Sequence, residues 1–307
     1  MNNYFSKQVK LLVSLLPLVA KEKCFALKGG TAINLFIRDM PRLSVDIDLA
    51  YLPIQDRDTS LYEIDMAMKR IKKDITSLFS SMEVTESFLP STDKCIRLTV
   101  KDNNAQIKIE VTPVLRGSIN QPIVKKISSS TEAKFGKVSM QLLSFEDLYG
   151  GKICAALDRQ HPRDLFDIYY LLENEGISEK LKNSFIIYLL SHPRPMAELL
   201  APRMKDIETL YQKEFLGMSI EIVSVEKLLR TRIDLIRELH GKLTDDDKNF
   251  LLSVKSNQPK WEMFAYPEVK NLPAIKWKLY NLSKMSKLKK KTSLIKLEKI
   301  LKNGNYI

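Results

Sequence analysis

The sequence predicts an α+β protein, with a mixed β-sheet in the first half of the chain and helices in the second. Three observations carry this. Apolar and polar residues alternate through 42–49, 95–101 and 106–111, the period of strands with one buried face. Between the apolar run 24–27 and the first of these strands, Lys28-Gly29-Gly30-Thr31 has the composition of a tight turn leading into a helix. From residue 144 onward, apolar residues recur at helical spacing nearly to the end.

Taken in order, Val9, Leu12, Val13 and Leu16 form the apolar stripe of an N-terminal helix. Lys7 and Lys10 precede an apolar run, as in a signal peptide, but Lys21-Glu22-Lys23 stands where small residues would mark a cleavage site. The run is also too short to span a bilayer. A helix over about 32–39 ends at Met40-Pro41, since proline disfavours helical geometry in its predecessor. Residues 58–81 read as an amphipathic helix through Leu61, Ile64, Met68, Ile71, Ile75 and Leu78. The strands 95–101 and 106–111 are joined by Asp102-Asn103-Asn104-Ala105, a hairpin turn. Residues 117–136 are polar and read as an exposed loop, and 137–143 alternate again. Ser144, Glu146 and Asp147 open a helix by satisfying first-turn amides. Pro162 opens the next, with Leu165, Ile168, Tyr169 and Leu172 as its stripe. Further helices are expected over 179–191, 196–213, 222–240, 245–253 and, as a basic tail, 276–302.

The chain has 307 residues, 44% of them hydrophobic, enough for one large domain or two modest ones with a real core. Cys24, Cys95 and Cys154 form no CxxC pair, and His161, His192 and His240 form no ligand cluster, so neither a disulfide framework nor a zinc site is expected. A reduced, cytoplasmic setting follows. The net charge is +12, and residues 270–307 hold eleven lysines against one acid, Glu298. That tail reads either as a phosphate-attracting surface or as a solvated lysine-rich helix.

Asp46 and Asp48 are two apart on a strand, so both carboxylates face one side, roughly 7 Å apart along it. That spacing lets both reach one divalent ion beside the Gly29-Gly30-Thr31 turn. Magnesium takes carboxylate and phosphate oxygens and retains water. Two such ions can hold the attacking and leaving oxygens of a phosphoryl displacement. Glu110, on the same face of its strand as Lys108, is the candidate third acid. Neither Gly29-Gly30 nor Gly150-Gly151-Lys152 is a Walker loop. The paired glycines 150 and 151 suggest close backbone approach and leave Lys152 open to a phosphate. Arg163 and Asp167, one turn apart, read as an intrahelical ion pair, and Asp164 as either a catalytic acid or a brace for Arg159 or Arg163.

These blocks, 27–32, 42–49, 108–111 and 152–167, together with Leu272-Pro273-Ala274-Ile275-Lys276-Trp277-Lys278-Leu279-Tyr280, resemble the successive motifs of the AbiEii/AbiGii nucleotidyltransferase-like toxin family. The resemblance implies a nucleotidyltransferase domain over residues 1–175 and a helical C-terminal domain with the basic tail over 176–307. It implies the toxin of a toxin–antitoxin or phage-defence pair, its antitoxin encoded alongside. By motif, Gly29, Gly30, Thr31 and Ser44 would bind the nucleoside triphosphate, and Asp46 and Asp48 the magnesium, with Glu110 as a further ligand. Lys152 would contact phosphate and Asp167 would complete the site. The family's glycine motif more often ends in serine than in threonine, and its third acid is more often aspartate.

The expected activity is transfer of a nucleoside monophosphate to an RNA acceptor, the transfer RNA 3′ end, with release of pyrophosphate and no membrane partner. Two alternatives share parts of the site. A protein AMPylase would use the same carboxylates on a polypeptide, and a non-catalytic nucleotide- or RNA-binding module would rely on the lysines alone.

Overall fold

The computed structural model describes residues 3–303. Packing divides them into two compact units. The first runs to Leu148 and takes back Leu216–Ile222; the second comprises Tyr149–Phe215 and the residues from Val223 onward. The division falls inside a helix, whereas the sequence expectation placed it after residue 175.

In the first unit, helix α1 (Asn3–Val19) precedes strand β1 (Phe25–Lys28). The expected helix over 32–39 is a single turn, α2 (Gly29–Ala32), continued by a π-helical turn over Ile33–Ile37. Strand β2 (Asp46–Tyr51) follows, then helix α3 (Arg57–Leu78) and strands β3 (Glu83–Phe88), β4 (Cys95–Lys101) and β5 (Gln106–Arg116). The hairpin turn forms as expected, the Asp102 carboxylate accepting from the amides of Asn104 and Ala105. The span 117–136, expected to be loop, contains strand β6 (Ile123–Lys126) and helix α4 (Ser129–Phe135) before β7 (Ser139–Leu142). Strand β6 lies at the sheet edge with Val124 exposed, so it carries no alternating pattern to read.

The seven strands form one mixed sheet in the order β3-β4-β5-β2-β1-β7-β6. Central β2 pairs antiparallel with β1 and parallel with β5. Ile47 and Leu49 of β2 and Ile107, Ile109 and Val111 of β5 are buried, on the face covered by α1 and α3. Leu12, Leu15 and Leu16 from α1 and Ile64, Met68, Ile71 and Ile75 from α3 complete that core. Burial of each such side chain is worth about 1.5–3 kcal/mol. The opposite face of β2 is left to its polar residues.

Helix α5 (Phe145–Arg159) crosses into the second unit, followed by α6 (Pro162–Asn174) and α7 (Glu179–Ser191). The expected helix over 196–213 is two, α8 (Met196–Leu200) and α9 (Glu208–Glu214), parted by Pro202-Arg203, which cannot continue the first. Then come α10 (Val225–Lys242) and α11 (Asp245–Lys255), the latter opened by a capping box between Thr244 and Asp247. The basic tail is also two helices, α12 (Pro273–Ser283) and α13 (Lys287–Asn303). Among the described residues no helix is long and apolar enough to cross a membrane.

Candidate active site

Strand β2 positions the first group of residues. Asp46 and Asp48 share its polar face, partly exposed. Register places Asp48 beside Lys28 of β1 and Glu110 of β5, and Asp46 beside Lys108. Strand β1 ends in the glycine turn, where Gly29 has φ +73°, a conformation that favours glycine. A Cβ on Gly29 would lie 2.5 Å from Asp48 Oδ2, and one on Gly30 would lie 2.9 Å from both Arg42 Nη2 and Ser44 Oγ. Any side chain at these two positions would displace the carboxylate, hydroxyl and guanidinium that close on the turn.

Thr31 is fully buried, and its hydroxyl donates to the backbone carbonyl of Asp46 and lies 3.0 Å from Ser44 Oγ. Asn34 Nδ2 donates to the Gly30 carbonyl at 2.9 Å. Thr31 is therefore a fastener between the turn and β2. Arg42 had no role in the sequence reading beyond its place in the motif. It is buried, donates to the Leu43 carbonyl, and borders Gly30. Its backbone bridges Ser219, while the Leu43 amide donates to Met218 and the Ile220 amide to Pro41. The returning segment Leu216–Ile222 thus holds the residues just ahead of Ser44, a long-range pairing with no periodic signature.

Asp46 and Asp48 fit a hard divalent cation. They offer carboxylate oxygens on one face, beside a turn kept free of side chains, and magnesium commonly takes one or two carboxylates and completes its shell with phosphate and water. Glu110, beside Asp48 in register, has a partner of its own. Arg97 of β4 grips it with two hydrogen bonds, 2.9 Å and 3.0 Å, one to each carboxylate oxygen. Among the described residues no group of three or more His, Cys, Asp or Glu is arranged for a metal.

The second group lies within the second unit. Gly150 lets α5 approach α7 closely: a Cβ there would come 3.0 Å from Tyr188 Cδ2 and 3.2 Å from the Phe185 amide nitrogen. The expected close approach is present, whereas the expected opening of Lys152 is not. Its side chain is 7% exposed, and the ammonium lies 2.9 Å from Asp164 and 2.9 Å from Asp167, two buried carboxylates on α6. Arg159 Nη2 is 2.9 Å from Asp164 Oδ2, but its hydrogen-bond geometry is met at Oδ1, 3.0 Å away. Two cations thus balance two anions. Burial opposes ionisation of Asp164, but Lys152 and Arg159 outweigh it and hold the carboxyl below its usual range. Arg163 lies 3.6 Å from Glu214. The turn between α5 and α6 is fixed by Gln160, whose side chain bonds the backbone of Arg203 and Lys205 and the Arg232 guanidinium.

The chain is similar in fold to the nucleotidyltransferase toxin MenT4 from Mycobacterium tuberculosis H37Rv. The TM-score is 0.59 at 13% identity, over 91% of this chain and 93% of that one. No curated protein matches the sequence. The family model described as nucleotidyl transferase AbiEii toxin, type IV TA system, matches residues 10–279, which include both groups of residues above. The chain belongs to this family, the AbiEii nucleotidyltransferase toxins of type IV toxin–antitoxin systems.

Proposed function

We propose that this toxin transfers a nucleoside monophosphate from a nucleoside triphosphate to an RNA 3′ end, that of transfer RNA, in a magnesium-dependent reaction that releases pyrophosphate. The observation that supports it most is the Asp46–Asp48 pair closing against a glycine turn that no side chain can share. Asp46 and Asp48 would hold magnesium, which when bound supplies charge neutralisation at the triphosphate and acidifies the acceptor hydroxyl. The backbone of Gly29 and Gly30 leaves space for phosphate oxygens, and Ser44 and Arg42 border that space with a hydroxyl and a guanidinium. Thr31 and Asn34 keep the turn at a fixed distance from β2, so the phosphate surroundings need little reorganisation.

Lys152 enters the proposal together with Asp167. In this reading its ammonium would contact phosphate, positioned by Asp164 and Asp167, each 2.9 Å away.

The test is incubation of the purified protein with labelled nucleoside triphosphates and total transfer RNA. Magnesium-dependent label that nuclease removes and protease does not, absent with Asp48→Ala, is expected. Label retained on protein, or incorporation undiminished by Asp48→Ala, overturns the reading.

A further inference from the structure

Helices α12 and α13 carry a feature that the transfer chemistry does not use. Trp277 and Tyr280 are large aromatic side chains left 57% and 53% exposed on α12. They stand three residues apart, one turn along the same face, with ring centroids 5.7 Å apart and planes inclined by only 20°. Lys284, one turn further on, sets its ammonium 5.3 Å from the Tyr280 ring centroid. Exposed Lys276 adjoins Trp277 in sequence, and exposed Lys287 and Lys291 follow in the first turns of α13.

Two exposed rings stacked on one another present a π-surface for a planar ligand, and a lysine over one ring in a lysine-rich segment favours a polyanion. We propose that the Trp277–Tyr280 face of α12, with its surrounding lysines, is a stacking platform for single-stranded nucleic acid. The rings would take unpaired bases, tolerant of their identity because every base presents a π-face, and the lysines would follow the phosphates. Duplex is a poor occupant, since its bases are already stacked on one another. An acidic lipid surface is the competing occupant. An inserting helix needs an apolar face to bury in lipid, yet the Leu297, Ile300 and Leu301 face of α13 is already buried, with the helix packed against α8 and α11. What remains outward is mainly lysine, with Leu288 and Ile295 set among it.

The platform is independent of nucleotidyl transfer, so it is tested without triphosphate and in an Asp48→Ala background. The probes are a fluorescent single-stranded oligoribonucleotide of mixed sequence, a duplex of the same length, and phosphatidylserine vesicles. Trp277→Ala with Tyr280→Ala should weaken single-strand binding by at least about tenfold, while Trp277→Phe with Tyr280→Phe, which keep the rings, should restore most of it. Stacking should also quench indole fluorescence in a manner lost in Trp277→Ala. Lys287→Ala with Lys291→Ala should flatten the logarithmic salt dependence by about 1.4, at roughly 0.7 per lost phosphate contact, and leave the quenching in place. Single-strand affinity within twofold of the parent after removal of both rings overturns the proposal. So does preference for duplex, or vesicle binding that is the only property the aromatic substitutions abolish.

Discussion

The molecule contains two carboxylate pairs that differ in what surrounds them. Asp46 and Asp48 are partly exposed on the polar face of a central strand, next to a turn from which side chains are excluded. Asp164 and Asp167 are 4% and 1% exposed and face Lys152, with Arg159 closing one side. The first pair can be reached from outside the chain. The second already has its charge supplied from within. The two pairs thus differ in burial and access: the second is locked to a buried lysine, while the first stays open to a ligand.

The sharpest way to break this comparison is to remove one member from each side. Asp48→Ala should abolish nucleotidyl transfer, by about 10³-fold or more, since metal-assisted charge stabilisation is worth several kcal/mol at the transition state. Its urea midpoint should stay near that of the parent, because the carboxylate is not buried. Lys152→Met should do the reverse in stability, leaving two buried carboxylates without their cation at a cost of about 3–5 kcal/mol. Equal destabilisation by both variants would erase the distinction.

Acid should act on the second pair. The Asp164 carboxyl is held below its usual range, so it contributes stability that is present above the unfolded value, near pH 4, and is lost as pH falls through the folded value. Urea midpoints of the parent should decline more steeply below about pH 4 than those of Asp164→Asn, which has no such proton to gain. Parallel declines would show that the carboxyl does not bind its proton differently on unfolding.

The adjacent glycines give a smaller effect with opposite signs. Gly150→Ala brings a Cβ to 3.2 Å from backbone atoms of Ser184 and Phe185, which cannot rotate away, and should destabilise by about 1–3 kcal/mol. Gly151→Ala makes only ordinary contact, 3.4 Å from Tyr188 Cε1, and should be neutral or stabilise by up to ~1 kcal/mol through helix propensity. Thermal unfolding of the two single variants reads this directly.

How much of this was legible in the sequence follows the range of the interactions. The alternation at Ile47 and Leu49 against Asp46 and Asp48 reveals both strand and face, because side-chain period is a local property. The shared face of Lys108 and Glu110 was readable for the same reason. Arg97 was not, since its grip on Glu110 depends on the β4–β5 register. Nor was Lys152's enclosure, which depends on how α5 and α6 turn toward each other through Gln160. Arg42 was overlooked because its neighbours Met218 and Ser219 are far along the chain.

The smallest expected effect bears on Glu110, which stands beside Asp48 in register yet already has a counter-ion. The Arg97–Glu110 pair is 38% and 36% exposed, so solvent screens it, and breaking it with Arg97→Ala should cost no more than about 1 kcal/mol. Glu110→Gln keeps the shape and one acceptor oxygen, and nucleotidyl transfer should fall less than about threefold, a change under 1 kcal/mol in barrier. A loss comparable to that of Asp48→Ala would mean that Glu110 leaves Arg97 during turnover and joins the two aspartates. Arg97→Ala separates the outcomes further. If Glu110 is held away from the reaction, freeing it changes little; if Arg97 restrains a ligand, freeing it raises activity or lowers the magnesium concentration needed for half-maximal rate.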